Sequence, residues 1–208
     1  MFDWYEADVR ELEAARTRQE LPKNPVVFYG SSTVRLWSAL AEDLENRRAI
    51  NLGFGGSTLE ACAYFFERLV PPVDPCSLVV YAGDNDLGDG RSPQDVLVYF
   101  RALADKVQRE LNGVEFAFIS VKPSPARFHI IDRIRTANQL IREEMATRGQ
   151  GYFIDVFDAM LGPDGQPQSK LFNEDGLHMS HAGYQLWTRL LSVYRPRIFT
   201  LNCSAASS

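Results

Sequence analysis

Two short stretches near opposite ends of the chain carry residue types that could together perform acyl transfer. Asp175 stands three residues before His178, in a sequence with only three histidines. Far upstream, Ser31 and Ser32 follow Gly30 at the end of an apolar run. A serine hydroxyl needs a neighbouring base to take its proton, and an imidazole used as this base needs a carboxylate to fix its tautomer. The pattern therefore predicts His178 as the base, Asp175 as its orienting acid and a serine after Gly30 as the nucleophile.

Acyl transfer also needs fixed hydrogen-bond donors for the oxyanion of the tetrahedral intermediate, and two further polar loops could supply them. In the glycine-rich segment 53–56, the backbone N–H of Gly56 could approach a substrate without a side chain in the way. Asn85 carries an amide NH2 group. The N–H of Ser32, at the start of a predicted helix, would be a third donor with a favourable dipole. The loss of one such donor costs about 3 kcal/mol of transition-state stabilisation.

These residues are far apart in sequence, so the fold must bring them together. Short runs rich in Val, Ile, Phe and Tyr predict strands at 25–29, 48–52, 77–82, 114–121 and 152–156. Amphipathic stretches predict helices at 3–19, 34–45, 58–69, 93–111, 130–148 and 180–194, and Ser92 before Pro93 is a good N-cap for one of them. Near-continuous apolar strands separated by helices are typical of a parallel sheet covered on both faces. The pattern therefore predicts a three-layer α/β domain.

The predicted sheet gives the candidate residues a common location. Ser32, Gly56 and Asn85 lie in loops that follow the first three predicted strands, while Asp175 and His178 precede the last predicted helix. In open parallel sheets, ligands bind beyond the carboxyl ends of the strands. We therefore expect the candidate residues to meet at that edge.

The four stretches, in this order, resemble the SGNH hydrolases, also called the GDSL esterase and lipase family. Segment 51–57 (NLGFGGS) is similar to the family's glycine block, 83–86 (GDND) to its GxND block and 175–178 (DGLH) to its DxxH block. The first block departs from the pattern: where the family reads Gly-Asp-Ser-Leu, this chain reads Gly-Ser-Ser-Thr at 30–33. Alignment to the glycine makes Ser32 the nucleophile, with Ser31 as the alternative.

The resemblance spans about residues 25–190 and implies a flavodoxin-like αβα sandwich with five parallel strands. It implies a triad of Ser32, His178 and Asp175, with Ser32, Gly56 and Asn85 as the oxyanion donors. The implied activity is hydrolysis of an acyl ester or thioester, with short acyl or acetyl groups, through an acyl-enzyme. Such chemistry needs no metal and no cofactor, and the implied partner is a small-molecule ester.

Other interpretations compete with this one. A catalytically silent protein of the same fold could use the site for binding or scaffolding. A flavodoxin-like nucleotide or flavin binder would need a longer phosphate loop than segment 30–33 provides. His178 and His181 could form a metal pair, although no further ligand apart from Asp175 stands at suitable spacing. Segment 84–86 could be an Asx turn or a set of oxygen ligands for a hard cation.

Composition bears on the number of domains and on the kind of partner. The 208 residues, 45% of them hydrophobic, predict one domain with its core at about 25–195 and a flexible tail at 202–208. The 22 basic and 27 acidic residues include no dense basic run, which argues against a nucleic-acid partner.

Cysteine spacing and hydropathy indicate the redox state of the thiols and the cellular location. The three cysteines, Cys62, Cys76 and Cys203, have no CxxC spacing, so we expect reduced thiols. No apolar stretch approaches the roughly 20 residues of a membrane span, and the acidic N-terminus does not resemble a signal peptide. We therefore expect a cytoplasmic protein with no membrane partner. The sequence is compatible with a homo-oligomer.

Overall fold

The structure is a computed structural model that describes residues 2–18, 20–149 and 151–199. Its centre is an all-parallel sheet of five strands in the order β2-β1-β3-β4-β5. The strands are β1 (Val26–Gly30), β2 (Ala49–Gly53), β3 (Ser77–Tyr81), β4 (Glu115–Ile119) and β5 (Tyr152–Ile154). This strand order is that of flavodoxin-like folds. The predicted fold class is therefore confirmed.

The register of the sheet aligns the strand ends that the candidate loops follow. Gly30, the last residue of β1, lies opposite Gly53 of β2 and Tyr81 of β3. The loops after these three strands therefore begin side by side at one edge of the sheet. This shared edge is the tertiary feature that brings distant motifs together.

Helices cover both faces of the sheet. They are α1 (Glu6–Arg18), α2 (Ser32–Arg35), α3 (Leu40–Asp43), α4 (Leu59–Leu69), α5 (Asp84–Gly88), α6 (Pro93–Glu110), α7 (Ile131–Arg148), α8 (His181–Ser192) and α9 (Arg195–Ile198). Short 3-10 segments lie at Asp3–Tyr5, Pro71–Val73, Pro125–Ile130, Asp158–Met160 and Ser169–Leu171. Val27 and Tyr29 of β1 belong to the core shared with α4, α6 and α7, whereas Val26 and Phe28 face the core shared with α2, α3 and α8. Successive strand residues thus pack into two different cores, one on each face of the sheet, as a sheet between two helical layers requires.

The helix predicted over 34–45 is wrong as a single element, because the chain forms α2 and α3 with a break between them. Trp37, in the break, is buried against Phe28 and stacks on Tyr184 at 5.0 Å between ring centroids. Its indole N–H donates to Asp43 Oδ2 at 2.7 Å. The side-chain amide of Asn51 donates to the carbonyl of Val34 at 2.5 Å, so a side chain caps a carbonyl in the last turn of α2. Tertiary contacts have replaced the helical hydrogen bonds that periodicity alone predicted.

The other predicted helices and strands are present, with ends shifted by a few residues. Ser92 is the N-cap of α6 and forms a capping box with Asp95, as its position before Pro93 indicated. Strand β5 ends before its predicted end because the Ser120 hydroxyl accepts from the Val156 N–H at 2.9 Å, in place of a ladder bond.

The N-terminal helix predicted over 3–19 forms as the 3-10 segment Asp3–Tyr5 followed by α1, with residue 19 outside the described part. It is attached to α4 by Arg68, whose guanidinium lies 2.7 Å from Glu6 and 2.8 Å from Glu13. The predicted tail at 202–208 also lies outside the described residues. Among the residues that are described, no helix combines the length and apolarity that crossing a membrane would require.

Candidate active site

Ser32 lies where β1 turns into α2. Gly30 has a φ of +141°, and a Cβ at this position would collide with the carbonyl group of Tyr81, so only glycine fits the turn. Ser31 is the N-cap residue of α2 and Ser32 its first residue. Because α2 has only four residues, its dipole adds little to the donor strength expected of the Ser32 N–H.

The Ser32 hydroxyl meets the imidazole predicted to act on it. His178 Nε2 lies 3.1 Å from Ser32 Oγ, across 146 residues of sequence. On the other side of the ring, Nδ1 lies 2.6 Å from Asp175 Oδ2. Ser32, His178 and Asp175 therefore form one continuous hydrogen-bonded chain, in the order that proton transfer from a serine requires.

Asp175 is held by three N–H groups at once. Besides the imidazole, its Oδ1 accepts from the backbone N–H groups of Leu177 and His178, each at 2.9 Å. The bond with His178, helped by these backbone donors, lowers the pKa of Asp175 to about 2 although its side chain is 48% exposed. The loop is anchored in turn, since the Ala126 N–H donates to the Gly176 carbonyl at 3.0 Å. The carboxylate is therefore ionised and fixed at any pH near neutrality.

Ser31, the alternative nucleophile, occupies a different environment. It is fully buried, whereas Ser32 borders the cleft that contains His178. Its hydroxyl has no hydrogen-bond partner among the described residues.

The predicted oxyanion donors border the same open cleft of about 400 Å³ as Ser32 and His178. The cleft is lined by Ser32, Arg35, Leu36, Gly55, Gly56, Asn85, Leu177 and His178. Gly56 has a φ of +67°, which glycine adopts without strain. The Asn85 amide donates one N–H to the Ser57 carbonyl at 3.0 Å, and because an NH2 group has two N–H donors, the second is left for a substrate oxygen.

Arg127, which sequence reasoning did not select, fixes the orientation of this amide. Its Nη2 donates to Asn85 Oδ1 at 2.9 Å, so the amide oxygen is occupied and the NH2 group is the part left to face the cleft. Arg127 also lies 3.1 Å from Asp84 Oδ2. Arg127 lies after the fourth strand, next to Ser124 and Pro125. Nothing in this local sequence indicates a contact with Asn85 or Asp84.

Asp84 is the centre of a buried group of charges behind the cleft. Its Oδ2 lies 3.1 Å from Lys122 Nζ, and Lys122 is only 1% exposed. Lys122 also donates to the hydroxyl of buried Tyr81 at 3.2 Å. Burial raises the pKa of Asp84, but the positive charges of Lys122 and Arg127 outweigh it, so the net pKa is below its usual value. Asp84 is thus an ionised counter-charge for Lys122, which is buried, and for Arg127, whose side chain is 15% exposed.

Asp86 has a structural contact of its own. Its Oδ2 accepts from the N–H of Leu59, the first residue of α4, at 2.8 Å. Burial raises the pKa of Asp86 to about 6, against the opposing effects of that N–H and of Arg91. Neither the Asx turn nor the cation site considered for 84–86 accounts for these contacts.

The metal interpretation finds no support in the side-chain placement. Over the described ranges, no three His, Cys, Asp or Glu side chains form a group that could hold a metal ion. His181 is the first residue of α8 and its ring contacts Gln185. Cys62 and Cys76 are buried free thiols, and Cys203 lies outside the described residues.

Comparisons with known proteins bear on the family and the fold of the chain. The family model of the GDSL-like Lipase/Acylhydrolase family matches residues 25–186. No curated protein sequence matches the chain significantly.

Solved structures share the fold at low sequence identity. A protein provisionally named as a platelet activating factor, from Streptococcus pneumonia, superposes with a TM-score of 0.79 at 21% identity, covering 92% of this chain and 94% of its own. A GDSL-like lipase from Bacteroides thetaiotaomicron gives a TM-score of 0.74 at 20% identity, with coverages of 90% and 96%. A lipase/acylhydrolase from Enterococcus faecalis gives 0.68 at 22% identity, with coverages of 83% and 95%.

Proposed function

Because the chain belongs to the GDSL-like lipase/acylhydrolase family, we propose that it is a serine ester hydrolase with Ser32 as nucleophile, His178 as general base and Asp175 as orienting acid. The observation that carries the proposal is the 3.1 Å contact between Ser32 Oγ and His178 Nε2, backed by the 2.6 Å contact to Asp175. Hydrolysis is the general activity of the family, and the ester class and the residue roles are the proposed refinement.

In the first half-reaction, Ser32 Oγ attacks the ester carbonyl carbon while its proton passes to His178 Nε2. The carbonyl oxygen becomes an oxyanion that accepts hydrogen bonds from the N–H groups of Ser32 and Gly56 and from the Asn85 amide. Asp175 stabilises the imidazolium that forms. When the intermediate collapses, the bond to the alcohol oxygen breaks, His178 donates its proton to that oxygen, and an acyl-enzyme ester remains on Ser32.

In the second half-reaction, a water molecule enters the open cleft and takes the place of the alcohol. His178 accepts one of its protons as the water oxygen attacks the acyl carbon. Collapse of the second intermediate returns the proton to Ser32 Oγ and releases the carboxylic acid. Two acyl-transfer steps therefore use one base, and the enzyme returns to its starting state.

The size of the cleft supports our proposal that the substrates are esters with short acyl groups. Its volume of about 400 Å³ lies at the lower end of the range for small-molecule sites. Leu36 and Leu177 offer it apolar surface, while the rest of its lining is mostly polar or glycine. Acetyl and similarly short acyl esters, of a sugar or another small alcohol, fit these dimensions.

Replacement of Ser32 tests the proposed nucleophile. We expect Ser32→Ala to cleave p-nitrophenyl acetate at least a thousandfold more slowly than wild type, because the covalent step is lost. Ser31→Ala is the matched control: it removes a buried hydroxyl that has no partner, so we expect activity within about threefold of wild type. A reversal of these two results would move the nucleophile to Ser31.

Covalent labelling separates an enzyme from the alternative, a silent scaffold of the same fold. A fluorophosphonate should add once per chain, and peptide mapping should place it on Ser32. A chain that neither turns over esters nor takes the label would be a binding protein rather than a hydrolase.

A further inference from the structure

The N-terminal segment lies outside the residues that the family model matches, yet it contacts the cleft. The match begins at residue 25, whereas the 3-10 segment Asp3–Tyr5 and helix α1 precede it. Tyr5 packs edge-on against Phe54, with ring centroids 5.5 Å apart. Phe54 belongs to the loop that carries the proposed oxyanion donor Gly56. The segment therefore supports a catalytic loop directly.

Two side chains of this segment hold the peptide group that carries the Gly56 N–H. On one side of that peptide, Asp8 Oδ2 accepts from the Gly55 N–H at 3.0 Å. On the other side, the Tyr5 hydroxyl donates to the Gly56 carbonyl at 3.1 Å. The peptide that joins Gly55 to Gly56 is thus flanked by two fixed bonds. Glycines are the most mobile backbone positions, so these bonds limit the direction in which the Gly56 N–H points.

Asp8 links this loop to the other side of the cleft. The same Oδ2 atom lies 3.3 Å from Arg35 Nη1, and Arg35 lines the cleft next to Ser32. One carboxylate oxygen therefore joins the glycine loop to the helix that carries the nucleophile.

Trp4 lies beside Gly56, one of the residues that line the cleft. A Cβ built on Gly56 would lie 3.7 Å from Trp4 Cζ2, so the indole covers the outer side of this glycine. The Trp4 side chain is nevertheless 80% exposed. Tryptophan is usually well buried because of its large apolar area, and an exposed indole beside a reaction site offers a flat face for stacking.

From these contacts we propose that the segment Trp4–Asp8 completes the substrate site: Tyr5 and Asp8 are positioning residues for the Gly56 donor, and Trp4 is a specificity-determining wall that takes a ring of the ester substrate. This inference rests on the proposed ester hydrolysis. The ring is aromatic, since it presents a flat π surface to the indole. It belongs to either the acyl or the alcohol part of the ester.

Tyr5→Phe tests the positioning role, because it removes only the hydroxyl that holds the Gly56 carbonyl. We expect kcat for p-nitrophenyl acetate to fall three- to tenfold with KM within twofold, since the oxyanion donor acts in the transition state. The rate of fluorophosphonate labelling at Ser32 should fall in parallel. Tyr152→Phe, a tyrosine on strand β5, is the matched control and should leave both rates unchanged. Unchanged kcat and labelling in Tyr5→Phe would overturn the positioning role.

Two Asp8 variants separate the hydrogen bond to the Gly55 N–H from the charge pair with Arg35. Asp8→Ala loses the acceptor of the Gly55 N–H, so kcat should fall by a similar factor. Asp8→Asn keeps an oxygen acceptor and should recover most of that loss, although it loses the charge that pairs with Arg35. Equal kcat in the two variants would contradict the proposed bond.

Trp4→Ala tests the wall with two isomeric esters, benzyl acetate and methyl phenylacetate, which carry the same ring on the alcohol and on the acyl side. The measured quantity is kcat/KM for each isomer relative to methyl acetate. We expect this ratio to fall three- to tenfold for one isomer, the size of one aromatic contact, and the affected isomer identifies the side of the ester that stacks. Val193→Ala, another exposed apolar side chain, is the control and should change neither ratio.

The outcomes distinguish this inference from the proposed function. If wild type hydrolyses the esters but Trp4→Ala leaves both kcat/KM ratios unchanged, the role proposed for Trp4 is wrong and the hydrolase proposal stands. If wild type hydrolyses none of them and Ser32 takes no label, the proposed function fails first.

Discussion

Asp175 and Asp84 both support side chains of the candidate site, but their surroundings are opposite. Asp175 lies on a loop with its side chain 48% exposed, and three N–H donors hold it. Asp84 is buried between Lys122 and Arg127. Both carboxyls have a lowered pKa, one mainly through hydrogen bonds and the other through the two positive charges that overcome its burial.

This difference separates reaction chemistry from support. The pair formed by Asp175 and His178 is partly exposed and contributes little to the folded state, because solvent weakens interactions between polar side chains at the surface. The buried group of Asp84, Lys122 and Arg127 does not reach the nucleophile, yet it orients Asn85 through Arg127. Changes in the two regions should therefore have separable effects on activity and on stability.

The largest expected effect is on stability, from Asp84→Asn. The substitution leaves Lys122 buried without a counter-charge, and breaking a buried pair in this way typically costs about 3–5 kcal/mol of unfolding free energy. Urea denaturation would measure the loss. Asp89→Asn, an exposed acid just after α5, is the control and should stay within about 0.5 kcal/mol of wild type. A loss under 1 kcal/mol in Asp84→Asn would mean that the buried charges are compensated elsewhere.

Next in size is the effect of Asp175→Asn on turnover. An amide has one acceptor oxygen, so it cannot satisfy both the backbone N–H groups and the imidazole N–H that Asp175 holds. Either the tautomer of His178 is wrong or the loop is disturbed, and we expect kcat to fall at least a hundredfold. The unfolding free energy should change by no more than about 1 kcal/mol. Glu174→Gln, an exposed neighbour, should leave kcat near the wild-type value.

The smallest expected effect is a pH dependence that originates in Asp86. Burial raises its folded-state pKa to about 6, whereas an aspartate in the unfolded chain titrates near 3.9. Between about pH 4 and pH 6 the folded state therefore binds more protons than the unfolded state, and the stability contributed by Asp86 is lost as pH rises through 6. The wild type should lose about 1–3 kcal/mol relative to Asp86→Asn between pH 4 and pH 7.

Unfolding titrations at several pH values would measure that difference. Asp89→Asn serves again as the control, and its difference from wild type should stay flat over the same range. A flat profile for Asp86→Asn would show that the carboxylate of Asp86 is solvated in the folded protein.

Much of this molecule follows from local sequence patterns. The strands were predictable because a sheet covered on both faces buries most strand residues, which leaves continuous apolar runs such as 25–29. The helix over 34–45 was not predictable as two pieces, since its break depends on Trp37 being drawn into a core built by Phe28 and Tyr184. Periodicity reports the face of a helix and carries no information about distant partners.

The candidate site divides in the same way. Ser32, Gly56, Asn85, Asp175 and His178 were selected because their residue types stand in recognisable blocks. The structure places four of them at one cleft, and it places Asp175 in contact with the fourth, His178. The residues that sequence reasoning missed bear on the site only through space.

Arg127, Lys122, Tyr5 and Asp8 are such residues. Each is a common residue type in an unremarkable local context, and each acquires its role from a contact made across many residues of sequence. No short pattern encodes such a contact.

The order of apolar runs and polar loops was thus enough to specify a parallel sheet and a set of reactive side chains at its edge. Which serine meets the imidazole, which charges are buried behind the amide, and which N-terminal groups hold the glycine loop were decided by tertiary structure. The physical reason is range: backbone propensity and hydrophobic burial act along neighbouring residues, whereas hydrogen bonds and charge pairs depend on distances that exist only after folding.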